Sequence, residues 1–169
     1  IQRIKQREKD FEHARERGAS IKSSKPMAIT IPHFDRKLRD FQVMRVQHMI
    51  EVPNVANFSI PGSGKTTMAY AAYSVLKDKG IIDQLFVVGP LPSFKPWEDE
   101  YRKCFGVDQK ENIPVIRYTG TRPERKKLLS KLNDYEVVLT GFQTASNDED
   151  YLAAHLFSGK KIMMIIDES

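Results

Sequence analysis

Short apolar runs alternate with longer stretches of helical periodicity over most of the chain. The short runs are rich in Val, Ile and aromatic residues and predict β-strands at residues 55–60, 84–88, 114–118, 136–140 and 161–166. The longer stretches predict helices at residues 65–79, 96–104, 123–132 and 149–157. This alternation is typical of an α/β domain, in which helices cover both faces of a parallel sheet and the ligand site lies at the carboxyl ends of the strands.

The first 25 residues follow a different pattern. Residues 1–17 carry charges of both signs around few apolar positions, which predicts an exposed helix. Gly18 and the serines and proline after it are typical of a helix end and a linker. We therefore predict a basic helical arm with its linker at residues 1–25 and one domain at residues 26–169.

Composition favours a globular protein. The longest apolar run, residues 162–166, is far shorter than the roughly 20 residues that cross a bilayer, so we predict no membrane association. Cys104 is the only cysteine, which excludes an internal disulfide and leads us to expect an intracellular protein. The net charge of the chain is +5. Residues 1–25 carry most of it, because they hold eight basic and four acidic side chains. Charge alone is therefore weak evidence for nucleic-acid binding by the domain.

A glycine-rich segment precedes the predicted helix at residues 65–79. It matches the phosphate-loop pattern G-x-x-x-x-G-K-[ST], except that Ser59 stands in place of the first glycine. Glycines let backbone N–H groups approach phosphate oxygens, and the positive end of the helix dipole points at the same place. We predict that Lys65 binds the β and γ phosphates of ATP and that Thr66 binds Mg²⁺. The predicted nucleotide-binding residues here are Ser59, Pro61, Gly62, Ser63, Gly64, Lys65, Thr66 and Thr67.

Two carboxylates follow the last apolar run. Asp167 and Glu168 lie at the end of the predicted strand, 102 residues after Lys65. In phosphate-loop ATPases the first acid of such a pair binds Mg²⁺ and the second can deprotonate the attacking water. An acidic pair alone is often only the start of a surface loop. Together with the phosphate loop, it predicts Asp167 as a Mg²⁺ ligand and Glu168 as a catalytic base.

Several segments in order resemble the DExx-box ATPases of helicase superfamily two, and among them the Swi/Snf type. The likeness spans residues 36–169. Its most discriminating part is Pro90-Leu91 followed by Trp97 and Glu100, because kinases and small GTPases share the phosphate loop but not Trp97 in that setting. The segments that carry it are residues 38–42, 59–66, 89–100, 118–120 with Arg125, 137–142 and 167–168.

The resemblance implies the first of two RecA-like domains, here incomplete, with ATP and Mg²⁺ as cofactors. It implies that Gln42 recognises the adenine edge and that Lys65 and Glu168 are catalytic. It also implies a strand, following the acidic pair, that lies between the phosphate-loop strand and the acidic-pair strand. Implied contacts with the sugar-phosphate backbone come from loops that hold Pro90, Ser93, Thr119, Gly120 and Thr140.

The implied activity is ATP hydrolysis coupled to movement on nucleic acid, most simply duplex DNA. Arginines of a second RecA-like domain complete the site in this family, so we expect the present chain alone to be nearly inactive. Two alternatives stay open. One is a helicase that acts on RNA or serves a restriction or defence complex. The other is a nucleotide-dependent scaffold with a decayed ATPase, which the unusual Ser59 keeps open.

Overall fold

The structure, a computed structural model, describes residues 6, 9, 12–13, 15–19, 28–57 and 59–167. The chain divides into two compact units, Ile1–Val75 and Leu76–Ser169. The domain boundary predicted near residue 26 falls outside the described residues and stays a prediction.

The first unit contains helix α1 (Asp40–Glu51) and most of helix α2 (Lys65–Asp78). The sequence patterns did not predict helix α1. Gln42 lies in its first turn, where the Gln42 Oε1 accepts a 2.9 Å hydrogen bond from the N–H of the N-cap residue Arg39. In the N-terminal arm the described residues are helical, as predicted, but the helix does not end at Gly18. A Cβ at Gly18 would lie 2.8 Å from the His48 Nε2, so glycine here permits close packing.

The strand predicted at residues 55–60 is wrong. The described residues of this segment form a loop and do not pair with a strand, while Phe58 lies outside the described residues. A β-strand exists only through hydrogen bonds to a neighbour. The neighbour that the resemblance implies for this segment is the strand that follows the acidic pair in the family.

The second unit is built on a four-stranded parallel sheet in the order β2-β3-β1-β4. Strand β1 lies between β3 and β4, with Leu85 opposite Val137 on one side and Met163 on the other. The strand positions agree with the sequence prediction to within one residue. Their bounds are Gln84–Val88 for β1, Val115–Tyr118 for β2, Val137–Thr140 for β3 and Ile162–Ile166 for β4.

Helices connect these strands, as parallel pairing requires. Thr121 and Glu124 of the order Thr-Arg-Pro-Glu form a capping box, in which the Glu124 Oε2 accepts from the Thr121 N–H at 2.7 Å. Short 3₁₀ turns lie at Leu91–Ser93 and Leu132–Asp134. None of the described helices is long and apolar enough to cross a membrane. Their bounds are Phe94–Phe105 for α3, Arg122–Leu129 for α4, Phe142–Asn147 for α5 and Glu149–Leu156 for α6.

Both faces of the two central strands are buried. On β1, Phe86 joins a cluster with Val138 of β3 and Leu152 of α6, while Leu85 and Val87 alternate with it and are also buried. This double burial explains why the strands are continuous apolar runs and not alternating patterns. Strand β4 differs, because Met164 and Ile166 are exposed.

A buried polar pair joins the start of β1 to α6. The side chain of Gln84 is fully buried and donates from Nε2 to the carbonyls of Leu132 (2.7 Å) and Tyr135 (2.8 Å). Its Oε1 lies 2.7 Å from the Nε2 of buried His155. Since the Gln84 oxygen can only accept, this geometry requires the proton on the His155 Nε2. Burial, and then the charge of Lys160, lower the pKa of His155 below its usual value.

This lowered pKa predicts a pH-dependent stability. The unfolded chain takes up a proton on His155 at its ordinary pKa of about 6.5, whereas the folded chain resists protonation to lower pH. The free energy of unfolding should therefore decrease as the pH falls from 7 to 5.5, measured by chemical denaturation. His155→Gln should flatten this slope, while His13→Gln, at an exposed site, should leave it unchanged. A slope that survives in His155→Gln contradicts the assignment.

Candidate functional site

The phosphate loop leads directly into α2. Gly62 and Gly64 adopt positive φ angles of 77° and 84°, in the region that favours glycine. The Met68 N–H donates to the Gly64 carbonyl at 3.0 Å, which is the first hydrogen bond of the helix. The first N–H groups of a helix have no intrahelical acceptor and carry the positive end of its dipole. The loop therefore has the backbone geometry that phosphate binding needs.

Gln42 holds this loop in place. Its side chain is buried, and its Nε2 donates to the Ser63 carbonyl at 2.9 Å while its Oε1 accepts from Arg39. A Cβ at Gly64 would lie 2.6 Å from the Gln42 Nε2, so a larger residue there would displace the Gln42 amide. Both ends of the amide thus bind the protein itself. Adenine recognition by Gln42 stays a prediction.

Two further features of the loop bear on a phosphate ligand. The Ser63 hydroxyl is buried and has no hydrogen-bond partner within the part of the chain that the structure describes. Ser59 turns its N–H and its hydroxyl to the Asn57 Oδ1, at 3.1 and 2.5 Å. A buried donor beside two glycines of positive φ suits a bound anion. The residues present therefore fit a nucleotide phosphate group.

The predicted metal ligand Asp167 follows β4 at the carboxyl edge of the sheet. Its N–H donates to the Val88 carbonyl at 2.8 Å, and its Oδ2 accepts from the Trp97 indole N–H at 2.9 Å. A Cβ at Gly89 would lie 3.1 Å from the Asp167 carbonyl oxygen and 3.3 Å from its Cβ. The acid is thus held by backbone and side chain. The predicted base Glu168 lies outside the described residues.

The five residues predicted to contact nucleic acid differ in exposure. Gly120 is exposed, and Pro90 and Thr119 are partly exposed. Ser93 is buried and its hydroxyl donates to the Pro90 carbonyl at 2.8 Å. Thr140 is fully buried and its hydroxyl donates to the Tyr118 carbonyl at 3.2 Å. Thr140 thus ties the end of β3 to the end of β2, where the loop that holds Thr119 and Gly120 begins.

A buried ion pair fixes that same loop. The Arg125 guanidinium donates to both carboxylate oxygens of Asp148, at 2.6 and 2.9 Å, and to the Gly120 carbonyl at 2.6 Å. The Tyr118 hydroxyl donates to the Asp148 Oδ2 at 2.8 Å. Arg125 first, with Tyr118, holds the pKa of Asp148 below its usual range. Burial and the bond to Asp148 raise the pKa of Tyr118 to about 12.

Sequence patterns missed three of these functional interactions. Asp148 is separated from Arg125 by 23 residues, so no local spacing marks it as the partner of that arginine. The sequence marked Trp97 only as part of the family resemblance, but its indole N–H donates to a carboxylate 70 residues away. Gln42 was assigned to the adenine rather than to the loop. No grouping of His, Cys, Asp and Glu able to hold a metal ion occurs among the described side chains.

Comparison with known proteins places this geometry in context. A family profile described as "Type III restriction enzyme, res subunit" matches residues 36–169. The human lymphoid-specific helicase is 32% identical over 98 residues, which are 54% of this chain and 11% of that protein. The ATP-dependent helicase fft3 of Schizosaccharomyces pombe is 25% identical over 123 residues, 68% of this chain and 13% of that protein. The chain spans about an eighth of the length of these relatives.

A solved structure has a similar fold. The structure titled "Sulfolobus solfataricus SWI2/SNF2 ATPase core in complex with dsDNA" matches with a TM-score of 0.55 and 20% sequence identity. The match covers 85% of this chain and 34% of that one. This likeness shows a common fold, and it agrees with the predicted RecA-like α/β architecture.

The phosphate loop predicts a difference between two glycine variants. Gly64→Ala should weaken binding of an ATP analogue by roughly tenfold or more, because the left-handed backbone is strained by about 1–2 kcal/mol and the methyl group meets Gln42. Gly62→Ala is the matched control, with the same backbone strain but no atom within 4 Å of the new Cβ. Calorimetric titration measures both affinities. Equal losses in the two variants contradict the role of the Gln42 contact.

The buried ion pair predicts a large effect on stability. Asp148→Ala leaves the Arg125 guanidinium buried without its carboxylate and should lower the free energy of unfolding by about 3–5 kcal/mol. Glu98→Ala is the control, since it breaks the exposed ion pair with Arg117 and should lower it by about 0–1 kcal/mol. Urea denaturation measures both variants. Similar losses in the free energy of unfolding for the two variants contradict the stabilising role of the Arg125–Asp148 ion pair.

Proposed function

Since the chain belongs to the helicase-type ATPase family whose profile is described as the res subunit of type III restriction enzymes, we propose that it binds and hydrolyses ATP to drive movement on duplex DNA. It supplies the first RecA-like domain of such a motor. The observation that carries the proposal is the phosphate loop, with positive φ at Gly62 and Gly64 and a buried Ser63 hydroxyl that has no hydrogen-bond partner among the described residues.

Each residue of the loop has a proposed role that follows from its chemistry. Lys65 neutralises the β and γ phosphates, and the backbone N–H groups of the loop and of α2 bind their oxygens. Thr66 and Asp167 are the proposed protein ligands of Mg²⁺, which would supply positive charge to the phosphate oxygens. Glu168 is proposed to take the proton of the attacking water.

Nucleic-acid binding is proposed for the loops after β1 and β2. Gly120 is exposed, and Pro90 and Thr119 are partly exposed, so these three positions can approach a sugar-phosphate backbone. Backbone contacts suit a translocase because it must hold every sequence equally well. Duplex DNA is favoured because the structurally similar ATPase core from Sulfolobus solfataricus is titled as a complex with dsDNA. A second RecA-like domain is the proposed protein partner.

The proposal predicts ATP turnover that depends on nucleic acid. The full protein that carries this chain should hydrolyse ATP slowly alone and much faster with duplex DNA, compared at fixed salt with single-stranded DNA and RNA. Lys65→Ala should reduce ATP affinity roughly 10–100-fold, the equivalent of losing hydrogen bonds to charged groups. Lys79→Ala, an exposed lysine just beyond the other end of α2, is the control and should change neither quantity.

The outcomes separate the alternatives. Stimulation by RNA in preference to duplex DNA contradicts the duplex translocase and moves the protein to another helicase branch. Absence of turnover in every condition, with ATP still bound, favours the nucleotide-dependent scaffold. Loss of turnover in Glu168→Gln with ATP affinity retained supports the proposed base.

A further inference from the structure

Trp97 is placed differently from a side chain that only fills space. It lies in the first turns of α3 and is 2% exposed. Its indole N–H donates to the Asp167 Oδ2 at 2.9 Å, across 70 residues of sequence. The remaining buried residues of the same helix face include Phe94, Tyr101 and Cys104. Trp97 therefore connects α3 to the carboxylate proposed as a Mg²⁺ ligand.

The backbone around Asp167 limits the freedom of that carboxylate further. The Asp167 N–H is fixed on the Val88 carbonyl, and Gly89 lies so close that a Cβ there would be 3.3 Å from the Asp167 Cβ. With the main chain held, the orientation of the side chain depends on the torsions that place its oxygens. The indole bond constrains one of those two oxygens and so sets the plane of the carboxylate.

A buried indole N–H needs an acceptor, but a backbone carbonyl would satisfy it equally well. The acceptor here is a charged group, and a hydrogen bond to a charged group is shorter and stronger than one between neutral groups. Partners that hydrogen-bond a metal ligand orient it, and their removal commonly weakens metal binding 10–100-fold. The contact therefore has a consequence for metal binding that packing alone does not give.

We propose that Trp97 is a positioning residue, whose indole N–H orients the Asp167 carboxylate for the Mg²⁺ that accompanies the nucleotide. The inference rests on the proposed function, because it takes Asp167 as the metal ligand. Trp97 acts through Asp167 and does not touch the nucleotide. Its removal should reduce the gain in nucleotide affinity that Mg²⁺ provides and leave metal-free binding unchanged.

The indole N–H of Trp97 can be removed without changing the rest of the chain. Trp97 is the only tryptophan in the sequence, so expression with benzothienylalanine, an analogue in which sulfur replaces the indole N–H, changes this position alone. The analogue keeps the shape of the ring and removes the donor. Titration calorimetry with a non-hydrolysable ATP analogue, in EDTA and in saturating Mg²⁺, gives the ratio of the two dissociation constants.

The expected result is a Mg²⁺-dependent gain in affinity that falls roughly tenfold in the substituted chain, with the affinity in EDTA unchanged. Asp167→Asn should reduce the gain as well, and the analogue combined with Asp167→Asn should cause no further loss, because both changes act through one carboxylate. Tyr101→Phe is the matched control. It removes the partly buried hydrogen bond from α3 to Glu136 and should leave the gain intact.

The outcomes distinguish failure of the inference from failure of the function. A chain with the analogue that retains the full Mg²⁺ gain, while Asp167→Asn loses it, overturns the role of Trp97 and leaves the proposed function standing. Retention of the gain in Asp167→Asn overturns both the metal role of Asp167 and the role of Trp97. A wild-type chain that binds no nucleotide in either condition overturns the proposed function and the inference together.

Discussion

The parallel pairing of β1 with β3 and β4 is the constraint on which the geometry of the second unit depends. Parallel strands bring their carboxyl ends to one edge, and the pairing carries on into the loops there. The Gly89 N–H bonds to the Thr140 carbonyl at 3.0 Å and the Asp167 N–H to the Val88 carbonyl at 2.8 Å. A shift of β4 by one residue would turn the side chain at the edge to the other face of the sheet. The position of Asp167 is therefore a consequence of strand register.

Register alone does not orient side chains and loops, and buried polar groups do this at three places. Gln84 fixes the start of β1 against the turn at Leu132–Asp134, Asp148 fixes the loop after β2, and Trp97 fixes Asp167. Buried ionic and polar groups contribute little net stability once their desolvation is counted, but they are costly to leave unpaired. Alternative arrangements of these loops are therefore disfavoured, which suits segments that must meet a ligand with fixed geometry.

The sequence predicted what local patterns can specify. The bounds of the four strands agree with the sequence prediction to within a residue, and the order Thr-Arg-Pro-Glu before α4 forms a capping box. Residues 55–60 look like a strand by composition, but a strand also needs a neighbour, which composition does not report. The partners of Arg125 and Trp97 lie 23 and 70 residues away, and such distances are set by packing of the whole unit. The bond between Gln42 and Ser63 was beyond prediction for the same reason.

Ser59 is the one departure from the phosphate-loop pattern. It is the reason why a scaffold with a decayed ATPase stays an alternative. A glycine is required only where the backbone adopts a positive φ or where a Cβ would collide. Within the described loop the positive φ angles belong to Gly62 and Gly64, and Ser59 has none. Its N–H and hydroxyl instead converge on the Asn57 Oδ1, a local turn of the kind that Asn side chains stabilise. Serine at this position therefore preserves the shape of the loop, and the departure from the pattern is no argument against nucleotide binding.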